Sequence, residues 1–121
     1  MKVFLLLGVI NGFLAVALGA FGAHGLEGRI SEKMIKTWEK AVNYQMFHTM
    51  ALLVVGLLFT KVTGNIASAG WAFFIGILLF SGSLYIYSVS SIKLFAMITP
   101  FGGVAFLVGW VILGYAVIRY I

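Results

Sequence analysis

The chain contains no cysteine, a single proline and three acidic residues, and these shortages remove whole classes of function. Without cysteine there is no disulfide, no thiolate nucleophile and no cysteine-ligated metal. The acidic residues, Glu27, Glu32 and Glu39, all lie outside the long uncharged interiors of the chain. Proton-coupled transport relies on a carboxylate embedded in the membrane, and small multidrug exporters of this size depend on one in their first helix. That mechanism is not expected here. Paired carboxylates, a nucleophile–base pair, a P-loop and a dinucleotide fingerprint are also missing. Gly19-x-x-Gly22-x-x-Gly25 follows no strand and does not read as a phosphate loop. No enzyme activity, catalytic residue, metal or cofactor is expected.

What remains is apolar. Hydrophobic residues make up 63% of the chain and charged residues 9%, with a mean hydropathy of +1.14. A soluble domain carries about 25% charged residues and needs them to cover its surface. The charges leave four uncharged runs, Val3–Leu26, Ala41–Thr60, Val62–Ile92 and Leu94–Ile118. About 20 apolar residues cross the hydrocarbon core as a helix, so each run spans once. The expected fold is an all-α polytopic membrane protein: one transmembrane domain, 1–121, with helices at about 3–23, 41–60, 66–88 and 100–121. The apolar stretch after Lys2 is longer than a signal-peptide core, so the first helix is expected to stay uncleaved. The net charge of +5 sits at the ends of the spans. Its expected partners are anionic lipid headgroups and not nucleic acid.

Projected as a helix, Gly8, Asn11, Gly12, Ala15, Gly19 and Gly22 share a sector of about 100° on the first span. Small residues let a second backbone approach closely, which is how helices associate in lipid. Gly102 and Gly109 give the fourth span a similar face, which begins with Thr99 and Pro100 as N-cap and first helical residue. Gly25 and Gly28 should turn the chain out of the membrane, and Ser31 should cap the next helix. Over about 31–40, Lys33, Lys36, Lys40 and Trp38 suggest a short amphipathic interfacial helix between the first and second spans, running into the second and in contact with lipid headgroups. Five basic residues on that side (Arg29, Lys33, Lys36, Lys40 and Lys93) face three on the other (Lys2, Lys61 and Arg119). The positive-inside rule leans the loop towards the cytoplasm, by a margin small enough to leave dual insertion open.

Polar groups within spans are the candidates for chemistry. Tyr44, Gln45 and His48 cluster at the start of the second span, and His24 should emerge on the same side of the membrane. Two histidines could ligate a metal or haem; the reading preferred is hydrogen bonding between helices or to headgroups. Ser81, Tyr85 and Ser88 form a hydroxyl line on the third span that could line a pore or satisfy helix carbonyls. Asn11 reads as an interhelical hydrogen-bonding residue.

Four segments together, Leu18–Leu26 (LGAFGAHGL), Tyr44–Thr49 (YQMFHT), Leu79–Tyr85 (LFSGSLY) and Ile98–Trp110 (ITPFGGVAFLVGW), resemble the signatures of the domain of unknown function 423 family. These are small membrane proteins of the YwdK/YgdD type, with a eukaryotic relative. The resemblance implies a four-helix protein of the bacterial inner membrane and carries no activity with it. The leading expectation is a non-enzymatic, lipid-interacting component that forms a homo-oligomer or packs on a membrane-protein partner. An oligomeric channel or transporter is the alternative, and histidine-dependent metal or haem binding the third.

Overall fold

A computed structural model describes residues 2–62 and 64–121. Among the described residues, four helices are long and apolar enough to cross a membrane: α1 (Lys2–His24), α2 (Glu32–Leu58), α3 (Ala67–Ser90) and α4 (Lys93–Tyr120). They form two antiparallel hairpins, α1–α2 and α3–α4, and α2 joins them by packing against both α1 and α3.

Glycine sets the spacing within each hairpin. A side chain at Gly8 would strike Leu53, and one at Gly12 or Gly19 would press on Thr49 or Val42. From α2, Gly56 receives Leu5, and Ala15 of α1 is completely buried. Residue numbers rise on α1 as they fall on α2, so the two helices keep one register along their length. In the second hairpin Gly102 lies against the backbone of Phe80, Gly109 against Phe73 and Gly76 against Phe106. Both expected small-residue faces are therefore consumed inside the protomer. Close backbone approach supplies the dispersion contacts that hold helices together where lipid removes the hydrophobic drive.

The turns follow from local chemistry. Gly28 takes φ +80°, open to glycine without strain. Ser31 then accepts the Met34 N–H at 3.2 Å, with Glu32 in the first turn of α2. Ser91, at φ 59°, closes α3, and its N–H donates to the Tyr87 carbonyl.

Three expectations are corrected. Residues 31–40 run into the second span, but as the first turns of one unbroken helix, α2, from Glu32 to Leu58, and not as an element of their own. No glycine or proline separates Lys40 from Ala41, so nothing ends the hydrogen-bond ladder there. At 1.5 Å per residue the helix is about 40 Å long, beyond the roughly 30 Å hydrocarbon core, so its charged first turns stand above the apolar layer. Secondly, the fourth helix starts at Lys93, and Pro100 lies inside it. Residues 94–99 are helix-compatible, and Thr99 Oγ1 reaches back to the Phe95 carbonyl beside the missing Pro100 donor. The chain reversal takes only the residues around Ser91. Thirdly, α3 extends to Ser90 and contains a π-helical turn, Ile77–Gly82, where it meets Gly102 and α2.

Candidate functional site

The buried polar groups bind one another. Asn11 Nδ2 donates to the Leu7 carbonyl, and Gln45 Nε2 donates to Asn11 Oδ1 at 3.0 Å. On the other side, the Tyr85 hydroxyl donates to Gln45 Oε1 at 2.6 Å. Gln45 thus ties α1, α2 and α3 through one amide. Ser81 Oγ donates to the Ala41 carbonyl and Ser88 Oγ to the Leu84 carbonyl, both at 2.7 Å. The hydroxyl line on α3 therefore points inward, where its bonds close the bundle. Among the described residues, no buried side-chain polar atom lacks a partner.

Trp38 is also turned inward, against the expectation of a headgroup contact. It is 6% exposed, and its indole Nε1 donates to the Leu18 carbonyl of α1 at 2.8 Å. The missing side chain of Gly22 makes room for the ring, and Tyr85 packs edge-on at 4.6 Å. Lys33, Lys36 and Lys40 are exposed on the outer side of α2, in a shallow cleft shared with Glu32 and Thr37.

His48 and His24 are not brought together. His24 is exposed at the end of α1, whereas His48 is buried between α2, α3 and α4. Trp110 Nε1 donates to His48 Nε2 at 3.1 Å, and His48 Nδ1 lies 2.8 Å from the Tyr44 carbonyl. A nitrogen that accepts from an indole carries no proton, so Nδ1 holds it and donates to the carbonyl. The ring is neutral and both nitrogens are engaged, so a metal or haem would first have to displace the Trp110 indole from Nε2. Among the described residues, no group of three His, Asp or Glu side chains gathers at metal-ligating distance.

Above this imidazole lies an aromatic groove of about 590 Å³ between α2 and α4. Tyr44, Phe47, Phe80, Phe106, Leu107 and Trp110 form its walls. The Phe106 ring stacks on the His48 ring at 3.5 Å and 6°. Asn43 and Gly103 complete the lining. Sequence reasoning found Tyr44 and His48 but not the groove, because its far wall comes from α4. Phe106 and Trp110, one helical turn apart beside Gly103, are the signal that could have pointed there.

The family described as "Protein of unknown function (DUF423)" matches residues 18–103. The chain belongs to this family. It is 51% identical over its whole length to the UPF0382 membrane protein YwdK of Bacillus subtilis, all of which is covered. A UPF0382 membrane protein of Staphylococcus epidermidis is 48% identical over 99% of the chain and 98% of its own length. One from Staphylococcus haemolyticus is 44% identical over 100% and 99%. No solved structure matches the chain. With four apolar helices and full-length relatives called membrane proteins, this is a small multi-pass membrane protein.

Proposed function

We propose that the protein is a non-enzymatic component of the bacterial plasma membrane that binds anionic phospholipid headgroups along the outer face of α2. The observation that carries this reading is the exposure of Lys33, Lys36 and Lys40 on the turns of α2 just outside its uncharged segment. Each lysine near an anionic surface contributes about 1 kcal/mol. The buried polar groups within the spans are hydrogen-bonded, to one another or to helix carbonyls.

Packing against a second copy or a partner belongs to the same reading, with one change to the surface involved. The glycine seams are occupied within the protomer, so assembly uses the outer faces of α1 and α4, where Phe13, Val16, Phe101 and Val111 are exposed. Selectivity for phosphatidylglycerol over phosphatidylethanolamine, measured by native mass spectrometry from mixed-lipid nanodiscs, tests the headgroup reading. Replacing all three lysines by glutamine should weaken that selectivity by about tenfold or more. Equal retention of both lipids by the native chain would refute it. Crosslinking in native membranes tests assembly: a chain found only as an isolated monomer excludes it.

A further inference from the structure

We propose that the aromatic groove between α2 and α4 is a specific site for one acyl chain of an anionic phospholipid whose phosphate rests on Lys36 and Lys40. The headgroup half of this inference rests on the function proposed above; the acyl-chain half stands on the groove itself.

The first argument is continuity. Lys36, Lys40, Asn43 and Phe47 recur at i, i+4, i+7 and i+11 and form a single stripe on α2. Lys40 is the last charge before the uncharged segment of the helix, and the groove opens within one turn of it, at Asn43 and Tyr44. A phosphate at the lysines therefore delivers its chain directly to the groove mouth.

The second argument is what the groove displays. Its walls are mostly aromatic faces and one aliphatic side chain, with the Asn43 amide and the Tyr44 hydroxyl as their polar groups, and the His48 ring beneath them presents no free nitrogen. Such a surface suits a methylene chain, which makes dispersion contacts and asks for no hydrogen bond. Phe47, Leu107 and Trp110 are exposed, so a chain can enter sideways from the surrounding lipid.

The third argument comes from two adjacent glycines. A side chain at Gly102 would overlap the backbone of Phe80, so helix packing requires glycine there. At Gly103 the nearest group is Phe80 Cδ2 at 4.0 Å, an ordinary contact, so packing within the protomer does not require it. The space over Gly103 belongs to the groove. The lysines at the mouth identify the occupant as an anionic amphiphile rather than an apolar helix, to which they would contribute nothing.

The test is native mass spectrometry of the full chain with phosphatidylglycerol and phosphatidylethanolamine of identical chains, alongside thermal unfolding in the same detergent. The native chain should retain one lipid and prefer the anionic one. Gly103→Leu fills the groove and should cut retention of both lipids by about tenfold, with Gly103→Ala intermediate and its melting unchanged. The lysine-to-glutamine variant should keep its lipid but lose the preference. If Gly103→Ala and a folded Gly103→Leu both hold lipid as tightly as the native chain, the groove is not the site, whatever the lysines do. Preference unchanged in the lysine variant overturns the headgroup half alone. A dimer mass that replaces the lipid adduct, and is lost in Gly103→Leu, makes a second copy the occupant and overturns the proposal.

Discussion

The Trp110 indole donates to Nε2 of His48 at 3.1 Å, and this one bond fixes the tautomer of a histidine in the middle of the bundle. It converts the residue with most apparent chemistry into a strut between α2 and α4. Trp110→Phe should remove the bond, leave Nε2 without a donor and lower stability by about 1 kcal/mol, within the range of interhelical hydrogen bonds in membranes. Chemical or thermal unfolding in detergent reads the change. Zinc added to the native chain should not shift the melting temperature, because no nitrogen of the ring is free to bind it. A saturable rise that disappears in His48→Ala would return metal binding to consideration.

Gly102 and Gly103 are neighbours with opposite duties. Gly102→Ala must push the Phe80 backbone away and should destabilise the α3–α4 hairpin by about 1–3 kcal/mol, the usual range for overpacking. Gly103→Ala meets only an ordinary contact and should leave stability within about 0.5 kcal/mol of the native chain, as substitutions away from packed features do. Parallel melting curves of the two variants decide the matter. Equal losses would mean that the two helices sit farther apart, or nearer, than their glycines imply.

Gln45 is the node of the polar network, so its loss should exceed that of either partner. Gln45→Ala strands both Asn11 Oδ1 and the Tyr85 hydroxyl, and should cost about 1–3 kcal/mol. Tyr85→Phe removes one donor and leaves Gln45 bound to Asn11, for about 0.6 kcal/mol. The double variant should fall short of the sum, since Gln45→Ala has already broken the bond that Tyr85→Phe deletes. Strict additivity in a double-mutant cycle would show that the Tyr85–Gln45 bond carries no coupling.

Much of this architecture was legible from periodicity. The helical spacing of Gly8, Gly12, Ala15 and Gly19 marked a packing face, and the scarcity of charge marked four spans. The Ser31 cap was readable because an N-cap depends on one residue and its immediate neighbours. Pro100 misled for an instructive reason: at a helix start proline is free of penalty, but within a membrane bundle its missing donor is also tolerated. Trp38 misled because its identity fits the headgroup layer equally well. Gly22, the Leu18 carbonyl and Tyr85, all distant in sequence, together turn the ring inward. The groove was hidden for the same kind of reason, since no single helix contains both of its walls.

Ser81 offers a test that separates packing from conduction. Its side chain is fully buried, and its hydroxyl donates to a carbonyl of α2 from within the π-helical turn. Removing the hydroxyl as Ser81→Ala leaves the Ala41 carbonyl able to accept within its own helix, so the loss should be small, about 0.6 kcal/mol. Enlarging the residue as Ser81→Val places a branched side chain where none fits and should cost about 1–3 kcal/mol. If the hydroxyl line conducted ions, both substitutions would instead alter flux from proteoliposomes while stability stayed level. The inward bonds of Ser81, Tyr85 and Ser88 predict the opposite pattern: melting temperatures ordered native, Ser81→Ala, Ser81→Val, and flux equal to that of empty vesicles in all three.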